Sequence, residues 1–389
     1  MTNVGVFFGG RSVGHEVSVI TAQQTMAAFP LERYTPVPVY IAKDGAWYTG
    51  ERLRDLDAFR DVERLLSTMT RVTMHPEPQS QGALLETGPR RGFLGGGARE
   101  AARIEVAMPL VHGSHGEDGT LQGLFELADI AYCGCDVSAS AVSMDKLLAK
   151  AAFRAAGLTV LDDVVVDRAR WVADAASVLT DVEQHLGYPM YVKPVSLGSS
   201  IGVSRAQSGE ELRAAVDLAL TYDQRCVFEP AQEDIVEINC AVLGSGDDLR
   251  VSACEQPKTT GLLSYDDKYL SKGAKGAGGK EASNRVIPAP LPDAVTTRVQ
   301  DDAVRAFRAI GAEGVARVDF MVRPHQGEVI VNEINTIPGS LSFYLWEPVG
   351  VGFAELVTRL IDIALERKAA KVRTAYSIDT WLLSGRRPG

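Results

Sequence analysis

The feature that most constrains the fold is a pair of apolar segments separated by a short polar turn. The segment ARVDFMV (316–322) is typical of a β-strand, because it is apolar and rich in β-branched residues. RPHQGE (323–328) carries the Pro and Gly of a turn, and EVIVNEIN (328–335) is typical of a returning strand. The pattern therefore predicts a β-hairpin.

The polar residues of this hairpin are spaced for one face. Arg317 and Asp319 are two residues apart on the first strand, as are Glu333 and Asn335 on the second. Because strand side chains alternate between faces, ordinary pairing brings two carboxylates and a carboxamide together beside one Arg. Such oxygen ligands suit Mg²⁺, whose coordination substrate phosphates and water complete. A solvated hairpin face with scattered charges is the alternative at this point.

Length and composition limit the class of protein. A chain of 389 residues fits two or three domains, and 46% hydrophobic with 23% charged residues is the profile of a globular protein. No run of eighteen apolar residues is present, which predicts no membrane span. The start MTNVGVFFGG lacks a basic segment, so we expect no signal peptide.

Charge and cysteine content narrow the class further. A net charge of −10 makes nucleic acid an improbable partner. The five cysteines form no CxxC pair, so we expect free thiols in a reducing cytoplasm rather than disulfides or zinc.

The N-terminal part is typical of an α/β domain. VGVFF (4–8) predicts a buried strand, and a glycine turn leads into a helix over 17–29. The spacing is not GxGxxG, so a nicotinamide oxidoreductase is the weakest alternative. IEVAMPLVHG (104–113) predicts a second buried strand with His112 at its end, where ligand crevices open in α/β sheets. We interpret the polar residues 51–103 as helix and loop insertions.

The middle of the chain contains two basic, glycine-rich segments. The stretch 168–189 predicts one amphipathic helix, and in YVKPVSLGSSIG (191–202) Lys193 precedes a Gly- and Ser-rich loop whose backbone can approach phosphates. The spacing is not that of a P-loop. The long segment 263–284 carries four lysines in an acidic protein, which favours a lid that closes over a polyanion, with a loop of no function as the alternative.

Together these segments resemble the D-alanine–D-alanine ligases of the ATP-grasp superfamily. The resemblance covers about residues 4 to 365 and implies an ATP-grasp fold, mixed α/β and α+β. It further implies an N-terminal α/β substrate domain at 1–143, a central lobe at 144–230, and a C-terminal lobe at 231–389 with the metal site and lid. The matching segments, in the order of the family, are FFGGRSVGHEVSV, HGSHGEDGTLQGLFEL, SMDK, YVKPVSLGSSIGV, KYLS, ARVDF and NEINTIPG.

The resemblance also implies a nucleotide site. Lys146 and Lys193 would bind the ATP phosphates, together with Ser200 in the loop and Lys268 from the lid. Glu229 would hold the adenine amino group, and Glu237 the ribose hydroxyls.

The same resemblance assigns the chemistry. Two Mg²⁺ ions, or Mn²⁺ in their place, would be held by Asp319, Glu333 and Asn335. The residues that would steady the reacting groups or close over the first amino acid are Arg317, Gly339, Ser199 and Tyr269.

Two departures from the family concern the amino-acid pockets. Gly14 stands where the family has a Glu that binds the first substrate's ammonium, which removes a contact of roughly 1.5–3 kcal/mol. We therefore expect Gly14→Glu to improve the use of D-alanine. Tyr344 stands where the family has the Ser that, with the retained Leu345, takes the second carboxylate. We count His112 with these substrate residues.

The sequence thus predicts a ligase that joins a carboxylate to an amine through an acyl phosphate. D-alanyl-D-alanine formation for the cell wall and the joining of a different acid and amine, as in natural-product synthesis, stand about equal. A nucleotide-binding regulator is the alternative from another class, although the set around Arg317 argues against it. We expect amino-acid-like substrates, a homodimer, and no nucleic-acid or membrane partner.

Overall fold

Three main sheets and one two-stranded sheet organise the chain in this computed structural model. The described residues are 1–87, 99–198, 200–258, 285–375 and 378. Within those ranges we find no helix with the length and apolar character to span a membrane. The main sheets lie in chain order, one within each predicted domain range, although the domain boundaries stay a prediction.

The first sheet has a parallel centre and antiparallel extensions. Its strands are β1 (Thr2–Gly9), β2 (Tyr34–Ile41), β3 (Trp47–Thr49), β4 (Thr70–Met74), β5 (Ala83–Glu86), β6 (Glu100–Arg103), β7 (Val106–Pro109) and β8 (Ala131–Tyr132). The spatial order is β6-β5-β4-β3-β2-β1-β7-β8, with β1 parallel to both neighbours. Parallel strands covered on both faces are nearly continuous apolar runs, which is why VGVFF predicted the centre. The helices of this part are α1 (His15–Ala27), α2 (Val62–Leu66) and α3 (Thr120–Leu127).

The interpretation of residues 51–103 as helices and loops is wrong in part. Short 3-10 helices and α2 are present, but β4, β5 and β6 extend the sheet. Each of these strands has only four or five residues, too few for a clear alternating pattern. Their burial comes from tertiary packing, since Val72, Met74 and Leu84 join the core on one face of the sheet.

The second sheet is antiparallel and carries two of the segments singled out above. Its strands are β9 (Val164–Asp167), β10 (Met190–Pro194), β11 (Ser204–Ala206) and β12 (Arg225–Pro230), in the order β11-β10-β12-β9. The helices between the first and third sheets are α4 (Val137–Met144), α5 (Lys146–Ala155), α6 (Arg168–Ala173), α7 (Ala175–Leu186) and α8 (Gly209–Tyr222). Apolar residues of α7 and α8 pack on one face of this sheet.

The single helix predicted over 168–189 is two helices, α6 and α7. They separate at Asp174, whose φ of −155° and ψ of 75° are not helical. Its carboxylate accepts a hydrogen bond from the backbone N–H of Ser177 at 3.0 Å and so caps α7. The amphipathic pattern runs through both helices, which hid the break.

The third sheet contains the predicted hairpin. Its strands are β13 (Val236–Ser245), β14 (Asp248–Val251), β17 (Gly314–Arg323) and β18 (Glu328–Asn335), while β15 (Gln256–Pro257) and β16 (Arg285–Val286) form the small sheet. The order β14-β13-β17-β18 is antiparallel throughout. One face packs against α9 (Asp293–Ala309) and against apolar residues of α4 and α5. Part of the opposite face lines a cleft.

The end of the chain joins the first and third sheets into one core. The last helix, α10 (Phe353–Lys371), contributes Leu356 and Ile361 to a cluster that also holds Val106 of β7 and Val315 of β17. Trp346, fully buried just before α10, belongs to the same cluster. The first sheet is therefore packed beside the third sheet, which contains the hairpin.

Gly314, at the start of β17, tests how tightly these parts pack. Its φ is +79°, and a Cβ there would lie 2.7 Å from the Cα of Gly134. We expect Gly314→Ala to lower the free energy of unfolding by about 3 kcal/mol, from roughly 1–2 kcal/mol of left-handed strain plus overpacking. Gly311→Ala is the matched control, because its φ is +68° but a Cβ would meet nothing within 4 Å. Equal shifts of the urea midpoint in both variants would contradict the close packing.

Candidate functional site

A cleft of about 700 Å³ opens between the second and third sheets. An adjoining cavity shares Lys146 and Glu333 with it and adds Glu117 and Asn335. The structure thus brings together residues far apart in sequence. The residues predicted from the sequence that line the larger cleft are Lys146, Lys193, Ser200, Glu237, Arg317, Asp319 and Glu333.

The hairpin pairs as its sequence predicted. Strands β17 and β18 are antiparallel, with Arg317 opposite Asn335 and Asp319 opposite Glu333. Since directly opposed residues of an antiparallel pair point to the same face, the four polar side chains share the cleft side. The expected convergence of two carboxylates and a carboxamide beside one Arg is confirmed.

A bulge in β18 adds a residue that sequence reasoning missed. The register shifts after Asp319, so that Phe320 pairs with Val331 and Asn332 is the extra residue. Strict alternation would turn Asn332 away from Glu333, but both line the cleft. Bulges re-aim side chains in this way and are common next to functional sites. Nothing in the period-two pattern signals it.

Asp319 is bound tightly to its neighbours. Its two carboxylate oxygens accept hydrogen bonds from Nε and Nη2 of Arg317 at 2.6 and 2.7 Å, a bidentate pair. Nδ2 of Asn335 donates to the same carboxylate at 3.1 Å. Burial alone lowers the pKa of Arg317, but the charge and hydrogen bonds of Asp319 raise it well above the ordinary value. The guanidinium is therefore a permanent cation in the cleft.

The donor set fits a hard divalent cation. Asp319, Glu333 and Asn335 offer carboxylate and carboxamide oxygens on one cleft wall. Over the described ranges, no three His, Cys, Asp or Glu side chains form a group that could hold a metal by themselves. Two carboxylates with substrate oxygens and water is the arrangement expected of Mg²⁺ rather than of a structural zinc.

Two lysines face this wall from the other side of the cleft. Lys146 begins α5, where Asp145 caps the helix by accepting from the backbone N–H of Leu147 and Leu148. Its Nζ donates to the carbonyl of Leu197 at 2.6 Å, and burial lowers its pKa. Lys193 lies on β10 with 6% exposure. Paired cations opposite paired carboxylates suit a phosphate chain bridged by metal.

Lys193 belongs to a buried charge network that the sequence did not reveal. Its Nζ donates to Oε2 of Glu229 at 2.5 Å, while Lys150, on α5, pairs with Oε1 of the same carboxylate. Lys150 and Glu229 are each only 2% exposed. Burial alone raises the pKa of Glu229, but the two ammonium groups lower it to about 2. Burial alone lowers the pKa of Lys193, but Glu229 raises it above the ordinary value.

Both oxygens of Glu229 are therefore occupied, so its predicted contact with adenine requires one lysine to move or the backbone to serve instead. Glu237 and Ser200 line the cleft as expected. Their roles toward the nucleotide stay predictions. Ser199, Lys268 and Tyr269, with the predicted lid, lie outside the described residues.

His112 is buried and already engaged. It is 6% exposed, and its Nε2 is 2.9 Å from the hydroxyl of Thr21. Burial lowers its pKa to about 4, so the ring is neutral at ordinary pH. Glu117, five residues on, was missed although the motif HGSHGEDG contains it. Its oxygens accept from the backbone N–H of Gly113 at 2.7 Å and of Ile337 at 3.3 Å, and burial raises its pKa to about 7.

The expectation for Gly14 changes with the structure. A Cβ at this position would lie 2.7 Å from the Cβ of His112 and 3.0 Å from its carbonyl oxygen. Restoring a Glu there requires the strand end at His112 to shift. We therefore expect Gly14→Glu to disturb the pocket rather than simply improve it. Glu16 points elsewhere, paired with the exposed Lys43.

The segment after the hairpin has an unusual backbone. Gly339–Leu345 is a 3-10 segment in which Ser340, Leu341 and Ser342 all have φ between 51° and 53°. Three successive left-handed residues other than Gly cost roughly 1–2 kcal/mol each and mark a functional region. Leu345 is fully buried in the core, so only its backbone is available to a substrate. Tyr344 lies under Arg285, with Cζ of Arg285 3.9 Å from the ring centroid.

Comparison with known families matches both halves of the chain. Residues 3–135 match the family described as D-ala D-ala ligase N-terminus, and residues 152–362 match the D-ala D-ala ligase C-terminus. The chain belongs to the D-alanine–D-alanine ligase family. The D-alanine–D-alanine ligase of Heliobacterium modesticaldum is 39% identical over 376 residues, which cover 96% of this chain and 97% of the relative.

Solved structures of D-alanine–D-alanine ligases have the same fold. The ligase from Coxiella burnetii is 28% identical with a TM-score of 0.77, covering 96% of this chain and 98% of its own. VanG D-Ala:D-Ser ligase from Enterococcus faecalis is 31% identical with a TM-score of 0.76, covering 93% and 99%. The predictions of an ATP-grasp fold and of an ATP-dependent ligase that forms a C–N bond are confirmed.

Lys150, buried behind Lys193 in this member of the D-alanine–D-alanine ligase family, gives a testable prediction. Lys150→Met keeps the side-chain volume but removes one of two cations from Glu229, so Lys193 loses its fixed orientation. We expect the Kd for MgADP to rise about tenfold, measured by calorimetry. Arg154→Met is the control, since Arg154 on the same helix binds Asp163 and the Leu161 carbonyl without touching Glu229. Equal effects of both changes on MgADP would argue against this positioning.

The raised pKa of Glu117 gives a pH prediction. Its carboxyl titrates near 4.5 when unfolded and at about 7 when folded, so the folded state binds more protons between these values. This contribution to stability is present below 4.5 and is lost as pH rises to 7. From pH 5 to 8, Glu117→Gln should therefore gain about 2.5 kcal/mol relative to the natural protein. Urea unfolding measures this, with the exposed Glu63→Gln as control, and an unchanged difference would refute the shift.

Proposed function

We propose that this enzyme joins two molecules of D-alanine through an acyl phosphate, with ATP converted to ADP and phosphate. One observation supports this most. Lys146 and Lys193 lie across one cleft from Asp319 and Glu333, and Arg317 lines the same cleft. A phosphate chain needs cations on one side and metal ligands on the other, and the cleft has both. A regulator that binds ATP but catalyses no reaction has no need of a fixed guanidinium where the acyl group would react.

In the first step the donor carboxylate oxygen attacks the γ-phosphorus, and ADP leaves. Lys146 and Lys193 neutralise the charge that spreads over the transferred oxygens. Lys193 is buried and Lys146 is half-buried, and electrostatic interactions are stronger there than in bulk water. Glu229 and Lys150 hold Lys193 in place from behind. The cleft thus supplies positioning and charge rather than a protein nucleophile.

In the second step the acceptor amine attacks the acyl carbon, phosphate leaves, and the nitrogen loses a proton. Arg317 stabilises the developing oxyanion, since its pKa lies far above physiological pH and Asp319 fixes its plane. The turn at Ser340–Ser342, whose residues have positive φ, would present backbone groups at Gly339 to the same centre. Water must be excluded, or the acyl phosphate would hydrolyse.

Asp319, Glu333 and Asn335 would hold the Mg²⁺ ions, two in number, with Mn²⁺ as a substitute. When bound, the metal supplies neutralisation of charge on the phosphate oxygens. Binding requires Asp319 to share its carboxylate between Arg317 and the cation. Asn332 is placed to contribute through the bulge, either directly or by way of water.

A second candidate is the joining of D-alanine to another small acceptor. Tyr344 at the acceptor wall and Gly14 at the donor wall favour it, since both depart from the family pattern. VanG, whose fold this chain shares, is a D-Ala:D-Ser ligase. An ADP-release screen over D- and L-amino acids and hydroxy acids, with product masses, separates the two candidates.

We further propose that the enzyme acts in the cytoplasm, that it takes part in cell-wall synthesis, and that it is a homodimer. The five cysteines are all free and buried, which supports a reducing compartment. The domain boundaries at 143/144 and 230/231 belong to the same proposal.

Removing either hairpin carboxylate tests the proposal. Asp319→Ala and Glu333→Ala should each lower kcat at least a thousandfold, because the metal and with it the phosphate lose their anchor. ADP release with D-alanine is the measurement. Glu328→Ala is the control on the same hairpin, since Glu328 pairs with Arg323 at the turn end. Near-natural turnover in both site variants would refute the metal assignment.

A further inference from the structure

The register of β17 and β13 sets an order along the cleft. Met321, Asp319 and Arg317 face it in two-residue steps, roughly 7 Å apart. On β13, Glu237 lies opposite Met321 and Asn239 opposite Asp319. In the proposed function this order runs from ribose to phosphates to reacting carbonyl. The acceptor must therefore approach from the side of Arg317 that faces away from the nucleotide.

Three side chains, those of Arg285, Tyr344 and Glu255, form a cluster near Arg317. The guanidinium of Arg285 stacks on the ring of Tyr344, with 3.9 Å from Cζ to the centroid. Glu255 is 4% exposed, accepts from Nδ2 of Asn239 at 3.2 Å, and has Oε1 3.5 Å from Nε of Arg285. The carboxylate of Glu255 raises the pKa of Arg317, and Tyr344 is among the groups close enough to influence it.

The charges here are not arranged as a closed ion pair. Both carboxylate oxygens of Asp319 accept hydrogen bonds from Arg317. Arg285, by contrast, approaches Glu255 only through Nε, at a distance longer than that of a hydrogen bond. Within the described part of the chain, the two Nη groups of Arg285 make no hydrogen bond. Burial raises the pKa of Tyr344 to about 12, so its hydroxyl stays uncharged and does not neutralise the guanidinium.

We propose that Arg285 recognises the carboxylate of the acceptor, and that Tyr344 is the platform that orients its guanidinium. The inference rests on the proposed function and deepens it. A planar guanidinium held over a ring keeps its Nη groups available to a carboxylate, which it can bind with two parallel hydrogen bonds. The acceptor class is then a small α-amino acid with a free carboxylate, and its amine is directed toward Arg317 and the acyl carbon.

A competition between two acceptors tests this directly. With D-alanine as donor, the protein is given equal concentrations of D-alanine and D-alaninamide as acceptors, and the two dipeptide products are measured by mass spectrometry. D-Alaninamide lacks the carboxylate, so it serves only as acceptor. We expect the natural protein to prefer D-alanine at least tenfold, and Arg285→Met to reduce that preference to about threefold or less.

Controls separate recognition from folding. Arg250→Ala, which removes a surface Arg paired with Glu355, should keep the natural preference. Arg285→Met should keep the natural Kd for MgADP, because it leaves Lys146 and Lys193 unchanged. Arg285→Lys should recover the preference only partly, since an ammonium has the charge without the fork.

The outcomes are distinct. An unchanged acceptor preference in an Arg285→Met protein that still forms D-alanyl-D-alanine overturns the inference while the proposed function stands. Equal loss of both products, with MgADP binding also lost, makes Arg285 structural and overturns it too. If the natural protein joins neither acceptor to D-alanine, both the proposed function and this inference are wrong.

Discussion

The pairing of Asp319 with Glu333 across the hairpin is the constraint on which the site depends. It fixes two carboxylates on one face, and the neighbouring Arg317–Asn335 pair adds a cation and a carboxamide to the same face. A slip of one residue would send all four to the apolar side. The bulge at Asn332 keeps this register while adding a fifth polar residue to the cleft, and the strand keeps its buried alternate positions.

A second requirement is that the lysines on the opposite side of the cleft stay charged although they are shielded from water. Lys150, Glu229 and Lys193 are nearly inaccessible, and removing such charges from water costs several kcal/mol each unless they are paired. Glu229 meets this cost by pairing with both lysines, and Asp163 lies 3.6 Å from Nζ of Lys150. Lys193 also lines the cleft, where a polyphosphate would add negative charge beside it. Binding and folding are thus coupled through one carboxylate.

Local patterns predicted much of this protein. The hairpin, the central strand of the first sheet, Lys193 before its loop and the family itself follow from segments of five to twenty residues. The strands within 51–103 and the break at Asp174 did not, because short strands and capped breaks depend on partners distant in the chain. Lys150 belongs to the same group, since a lysine on an amphipathic helix is ordinarily exposed, whereas here Glu229, Asp163 and the Leu161 carbonyl are its partners in the interior.

The sequence by itself determined the enzyme class, the identity of the metal-binding candidates and the face on which they lie, since strand alternation is a local property of the backbone. Only the tertiary structure decided what the amino-acid pockets contain. It shows that the space of a missing Glu at Gly14 is closed by His112, and that Tyr344 carries a stacked Arg285. These are contacts between segments that are about a hundred residues apart for Gly14 and about sixty for Tyr344, and their geometry is set by packing, which no local pattern encodes.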